Sequence, residues 1–277
     1  MLAGYGKPLP GVRRVLSAGA PVPSDVVATM RELLPADREI WTPYGATECL
    51  PVAVIESREL QETRAATDAG AGTCVGRPVP PNEVRIIAIS DEPISEWSSE
   101  LLVPERTVGE ITVAGPTATD AYYNRDAATA IAKIPEQLAD GSERVVHRMG
   151  DVGYFDEQGR LWFCGRKSQR VEAVSGPLYT EQVEPVFNTH PEVRRTALVG
   201  VAKSGGTEPV LCVELNADVP SSCWPDIETG LREIASAHSQ CAPIRRFLRH
   251  SGFPVDIRHN AKIGREQLAR WVATQIR

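Results

Sequence analysis

The chain of 277 residues has no paired cysteine motif: Cys49, Cys74, Cys164, Cys212, Cys223 and Cys241 are scattered without a CxxC. Its five histidines show no HExxH or comparable ligand spacing. These absences argue against a structural zinc site or a disulfide framework and fit small buried thiols in a reducing compartment. No apolar stretch nears the ~18 residues of a membrane span, and the opening MLAGYGKPLPGVRR lacks the apolar block of a secretory signal. No membrane span and a cytoplasmic location are therefore expected. Aromatic residues make up only 6%, and 30 Lys+Arg against 36 Asp+Glu leave a net charge of −6. A nucleic-acid partner is not expected, because phosphate recognition needs a clustered basic surface. There is no internal repeat and no low-complexity tract.

What is present is an ordinary globular composition, 42% hydrophobic and 24% charged, at a length that suggests about two domains. Val12 to Ala18 reads as a strand, followed by a proline-marked helix start. An amphipathic helix follows, with Val26, Val27, Met30, Leu33 and Leu34 on one side. A second strand, Ile40 to Thr42, runs into the turn-forming Tyr44, Gly45 and Ala46. Strand, helix, strand in that order predicts a βαβ unit whose strand ends face a crevice. From Thr73 to Arg166 the pattern is β: Val84 to Ile89, Gly109 to Val113 and Leu161 to Cys164 are β-branched or aromatic runs between turn residues. Residues 90–107, polar and proline-interrupted, read as a long surface loop. Beyond Arg166 a helix (Thr180 to Asn188), two strands (Arg195 to Val201, Pro209 to Leu215) and two helices (Asp226 to His238, Arg265 to Ile276) follow. Lys203 to Thr207 mimics a phosphate loop but joins two strands and reads as a hairpin turn. The fold class is α/β. Residues 1–165 are read as a partial large domain (βαβ unit plus β-rich subdomain) and residues 166–277 as a small, mobile α+β domain.

Four clusters carry chemistry. Tyr44 to Glu48 (YGATE) sets an aromatic face, a close-approach glycine, a hydroxyl and a carboxylate within five residues. An aromatic can stack on a base, a hydroxyl can bond a phosphate and a carboxylate can hold magnesium; a turn in which Thr47 or Glu48 merely caps remains the alternative. Ser17 to Pro21 (SAGAP) is a small-residue turn where Ala18, Gly19 and Ala20 let backbone approach a ligand, or simply connect strand to helix. Residues 151–166 read as a hairpin turning at Asp156 to Gly159. Pairing centred between Gln158 and Gly159 sets Asp151 opposite Arg166, as a ligand clamp or as an exposed ion pair. Asn260 to Arg265 (NAKIGR) places Lys262 just before the last helix, where it is equally readable as a solvated lysine.

In their order, SAGAP, YGATE, Gly150-Asp151, Gly165-Arg166 and NAKIGR resemble the motifs of the AMP-forming adenylating enzymes: acyl-CoA synthetases, luciferases and peptide-synthetase adenylation domains. The resemblance runs from about Arg13 to the C-terminus. It implies ATP and Mg²⁺ as cofactors and a small-molecule carboxylic acid as the other substrate. By that likeness Ala18, Gly19 and Ala20 contact adenine, Tyr44 stacks on it beside Gly45, and Thr47 bonds the α-phosphate. Glu48 coordinates Mg²⁺, Asp151 and Arg166 hold the ribose diol, and Lys262 bridges the carboxylate and the α-phosphate as the catalytic lysine.

The segments GRKSQRVE, GPLYTEQVEP and FPVDIRHNAKIGREQLARW are most similar to the branch of bacterial olefin β-lactone synthetases. That branch implies activation of a long-chain 2-alkyl-3-hydroxy acid, whose own hydroxyl displaces AMP. Val174 to Glu184 differs by one missing residue from the corresponding segment of CoA-using members, which weakens the case for a thioester-forming step. A long-chain fatty-acyl-CoA ligase using CoA is the alternative within the superfamily; a non-catalytic remnant of a nucleotide site is the alternative outside it. The family's Ser/Thr/Gly-rich phosphate loop should precede SAGAP, and only sixteen residues stand before Ser17. The chain is thus expected to correspond to about the C-terminal half of a longer enzyme and not to catalyse adenylation alone. Assembly with pathway enzymes is left open.

Overall fold

The computed structural model describes residues 6–18, 24–255 and 262–276. It divides into two compact units: Met1–Arg64 with Thr73–Phe163, and Ala65–Gly72 with Cys164–Arg277. No helix among the described residues is long and apolar enough to cross a membrane.

In the first unit β1 (Arg14–Leu16), α1 (Ser24–Leu33) and β2 (Glu39–Ala46) form the predicted strand–helix–strand, with β1 parallel to β2. Met30, Leu33 and Leu34 meet Ile40 in one apolar cluster, as i, i+3, i+4 spacing on a helix dictates. Val27 is also buried, whereas Val26 is exposed. β2 does not lead into a helix. It turns back as β3 (Cys49–Glu56), antiparallel, with Tyr44 facing Ala53 and Ala46 facing Cys49. YGATE is therefore the tip of a hairpin rather than a strand end before a helix. After α2 (Ser57–Glu62), and after α3 (Arg64–Asp68), which is counted almost wholly in the second unit, come β4 (Thr73–Pro78), β5 (Glu83–Ile87), β6 (Gly109–Ala114), α4 (Asp126–Ala132), β7 (Lys133–Gln137), β8 (Glu143–Phe155) and β9 (Leu161–Arg166), whose last three residues are likewise counted in the second unit. The nine-stranded sheet runs β1-β2-β3-β4-β9-β8-β6-β5, with β7 also on β8.

The polar segment 90–107 is more tightly held than its composition suggests. It contains a 3-10 turn, Ser99–Leu101. Its Ile94, Trp97 and Leu101 pack on buried Ile87, Ala114, Ile134 and Val146, and the Arg85 guanidinium lies 3.5 Å over the Trp97 ring. Arg148 completes the anchor. Its guanidinium binds Glu110 (Nη2 to Oε2, 2.7 Å; Nε to Oε1, 3.2 Å) and the carbonyls of Ser90, Glu92 and Ile131. That uses the whole donor fork of an arginine whose partner carboxylate is equally buried.

The β8–β9 turn differs from the symmetrical one expected. Gly159 N–H donates to the Asp156 carbonyl and Asp156 N–H to the Arg160 carbonyl, both at 3.0 Å. With Gly159 at φ +70° this is a turn closed by a left-handed glycine bulge, centred on Gln158. The turn register is one residue removed from that which sets Asp151 opposite Arg166. The Asp156 carboxylate locks it, accepting from the N–H groups of Gln158 and Arg160 and from Trp162 Nε1.

In the second unit a 3-10 turn, Lys167–Gln169, precedes β10 (Val171–Ala173), β11 (Gly176–Leu178), α5 (Thr180–Phe187), β12 (Val193–Lys203), β13 (Gly206–Leu215), α6 (Trp224–Ala237), β14 (Arg246–Arg249) and α7 (Arg265–Gln275). β12 and β13 pair along their length, down to Lys203 facing Gly206, so the phosphate-loop mimic is a hairpin turn. β13 bonds β10 and β14 in parallel, which puts both on its other edge. Alternation sorts the side chains between two faces. Leu198, Leu211 and Val213 pack with Val183, Phe187, Ile227 and Leu231 of α5 and α6. Ala197, Val199, Val210 and Cys212 pack with Leu268 and Val272 of α7. Arg265, at the first position of α7, forks onto Glu184 of α5 (Nη2 to Oε2, 2.8 Å, and Nη1 to Oε1) and bonds Gln169 Oε1 at 3.1 Å. All six cysteines are free, and burial pushes the Cys212 and Cys241 thiols up to about 12.

Candidate functional site

The central contact joins two motifs that lie 107 residues apart: Tyr44 O–H donates to Asp151 Oδ2 at 2.7 Å. Asp151 is buried, and the Tyr44 ring packs 5.8 Å from that of Phe163, tilted by 40°. Each partner stands at a break in strand register. On β6 the two steps from Glu110 to Thr112 match four on β8, from Val152 to Arg148. Met149, Gly150 and Asp151 therefore bulge, with Gly150 at φ +69°. Bulges re-aim side chains, and this one releases Asp151 from the ladder. On β2 the two steps from Tyr44 to Ala46 match four on β3, from Ala53 to Cys49. Gly45 lies against that second bulge, where a Cβ would meet the Cys49 carbonyl at 2.5 Å; the close-approach glycine of YGATE serves its own hairpin.

At the hairpin tip Thr47 is exposed and Glu48 half-buried. Glu48 Oε1 accepts from Tyr122 O–H at 3.0 Å, across 74 residues of sequence, and the Glu48 carbonyl accepts from Thr119 N–H at 2.8 Å. Burial alone would raise the Glu48 carboxyl. Hydrogen bonds from its own N–H and from Tyr122, with the nearby Lys133 ammonium, outweigh it and hold the group below the usual range. Lys133 is buried; its ammonium binds the Thr119 carbonyl and, at 3.1 Å, the Thr119 hydroxyl. Desolvation lowers it, against the charges of Glu48 and Asp120. His147, opposite Lys133 across β7 and β8, is pushed down to about 4 by burial and by the Lys133 charge. Sequence reasoning missed Thr119, Tyr122, Lys133 and His147: no spacing relates them to Glu48, and only strand order brings them together.

The remaining candidates are placed as follows. Ala18 is exposed just after β1, and Gly19 and Ala20 lie outside the described residues. Arg166 ends β9 and Lys262 stands three residues before Arg265; both are exposed and belong to the second unit. No group of three or more His, Cys, Asp or Glu able to cage a metal exists among the described residues. A lone carboxylate such as Glu48 fits Mg²⁺, which commonly binds through one or two carboxylates plus substrate phosphates and water.

The AMP-binding enzyme family matches residues 2–123. Over 275 residues the chain is 69% identical to an olefin beta-lactone synthetase of Xanthomonas campestris pv. campestris, covering 99% of this chain and 50% of that one. It is 67% identical to the olefin beta-lactone synthetase of Stenotrophomonas maltophilia over 276 residues, covering 100% and 50%. The amide bond synthetase McbA from Marinactinospora thermotolerans superposes with a TM-score of 0.70 at 27% identity, over 94% of this chain and 46% of that one. The chain spans about half the length of the curated relatives it matches. The α/β fold and the hydrogen bond between Tyr44 and Asp151 are in keeping with this similarity to the AMP-binding enzymes over residues 2–123.

Proposed function

We propose that the chain is the C-terminal half of an ATP-dependent, AMP-forming acid-activating enzyme of the β-lactone-forming branch, acting on a long-chain 2-alkyl-3-hydroxy acid in the cytoplasm. The observation that carries this reading is the Tyr44–Asp151 hydrogen bond, which welds the two motifs assigned to adenine and ribose into one scaffold. The 69% identity to a β-lactone synthetase supports the branch.

In this reading a substrate carboxylate oxygen attacks the α-phosphorus of ATP, the bond to the β-phosphate oxygen breaks and pyrophosphate leaves. Two anions must meet, so cationic help is needed where charge develops. Tyr44 offers a ring face to adenine, and Ala18, Gly19 and Ala20 are the residues assigned to contact it. Asp151 and Arg166 take the ribose hydroxyls, Thr47 bonds the α-phosphate, and Lys262 bridges carboxylate and phosphate. Glu48 would hold Mg²⁺, which offsets the phosphate charge when bound. The 3-hydroxyl of the acyl-adenylate then attacks its own carbonyl carbon, AMP leaves and a four-membered lactone closes; an internal nucleophile is favoured by proximity and needs no CoA.

The test is incubation of the full-length enzyme with ATP, magnesium and a 2-alkyl-3-hydroxy acid, with and without CoA. Lactone, AMP and pyrophosphate without CoA are expected. Strict CoA dependence with a thioester product would replace the branch by a fatty-acyl-CoA ligase, and absence of any ATP-dependent product would leave only a nucleotide-site remnant.

A further inference from the structure

Glu48 is gripped twice by one short segment: its carbonyl by Thr119 N–H and its carboxylate by Tyr122 O–H. The tyrosine is itself fixed. Its N–H donates to Thr129 Oγ1 in α4 at 3.0 Å, and the buried Lys133 ammonium stands 5.9 Å from its ring centroid while clamping Thr119. These contacts fix the backbone of Tyr122 and of Thr119 on either side of the loop, and the phenol itself is held to Glu48 by its own hydrogen bond. Its proton takes one lone pair of Oε1 and the N–H of Glu48 itself another of the carboxylate, which still leaves carboxylate lone pairs for a further ligand.

We propose that Tyr122 is a positioning residue for magnesium-dependent ATP binding: it fixes the Glu48 carboxylate in the orientation that meets the metal on the phosphates. The inference rests on the reading of Glu48 as the metal ligand and adds the residue that aims it. Carboxylates that ligate metals are themselves held by outer hydrogen bonds, and loss of such a partner typically costs 10–100-fold in metal affinity. The neighbouring Tyr123, 92% exposed, serves as the matched control.

The experiment is calorimetric titration of the 277-residue chain, with Tyr122→Phe, Tyr123→Phe and Glu48→Gln, against ATP with magnesium chloride and against ATP with EDTA. Magnesium should strengthen ATP binding by the unsubstituted chain and by Tyr123→Phe. Tyr122→Phe should lose about tenfold or more of that gain while keeping its EDTA affinity and its melting temperature. Glu48→Gln should abolish the gain, and adding Tyr122→Phe to it should change nothing further. A Tyr122→Phe chain that keeps the full gain overturns the positioning role, as does one that loses both affinities together, which a merely structural role predicts. An unsubstituted chain with no magnesium gain overturns the Glu48 reading itself, and with it this inference.

Discussion

Single side chains near the hairpin tip carry charge states set by burial. His147 is held neutral, down to about 4 against 6.5 in the unfolded chain. Between those values the unfolded chain binds more protons, so stability must rise with pH through that window and level off above 6.5. From pH 7.5 to pH 5 the loss assigned to His147 is about 2 kcal/mol. Urea melts at the two pH values should show it, and His147→Gln should remove it. Glu136 cannot mimic the effect: hydrogen bonds from Arg85 and, against its burial, from Arg144 hold it at about 2. Its contribution is present above 4.5 and lost only as pH falls from there toward 2. A profile in which His147→Gln keeps the same slope would contradict the buried neutral imidazole. Lys262 acts at the reacting atoms in the proposed mechanism. Lys262→Ala in the full-length enzyme should therefore lower adenylate formation by ~10²–10³ with ATP affinity nearly unchanged, as read by pyrophosphate exchange beside equilibrium binding. A variant retaining more than about a tenth of the rate would remove that role.

At the scale of elements, two bulges and one buried ion pair hold the candidate residues. Gly45→Ala drives a methyl into the Cys49 carbonyl, at 2.5 Å. It should cost about 1–3 kcal/mol through forced backbone shifts. Gly150→Ala meets no atom within 4 Å but sits at φ +69°, and should cost about 1–2 kcal/mol from conformation alone. Urea melts of both variants check the pair. In α5, Glu184→Gln weakens the grip on Arg265 of α7 and should cost about 3–5 kcal/mol, seen as a loss of melting temperature in the second unit. The long amphipathic or alternating stretches were legible in sequence: α1, α5, β12, β13, α6 and α7 stand within a few residues of where periodicity puts them, because each buries one face. β10, β11 and β14, three or four residues each, are too short to show a period. The return strand β3 was hidden by Pro51, which is tolerated because Leu50 to Val52 lie in the bulge, outside the paired register. The bulge at Met149 to Asp151 was hidden for a similar reason. Only its partner strand β6 reveals the extra residues, and no local pattern in HRMGD does.

At the scale of the molecule, motif order carried the family resemblance, since each motif alone reads as an ordinary turn. What order could not supply was the company that Glu48 keeps, because Tyr122, Lys133 and His147 reach it only through the β7–β8 pairing and the loop before α4. The chain spans half of its relatives' length and its residues include no phosphate loop. On the proposed reading the purified 277 residues should therefore give no pyrophosphate exchange above background, while retaining the surfaces assigned to adenosine monophosphate. The most direct measurement is equilibrium binding of AMP to this chain and to its Asp151→Ala variant. The account predicts saturable binding that weakens by about 10–100-fold in the variant, the loss of one or two charge-assisted hydrogen bonds to the ribose. Equal affinity of the two proteins, or no binding of AMP by either, would contradict it.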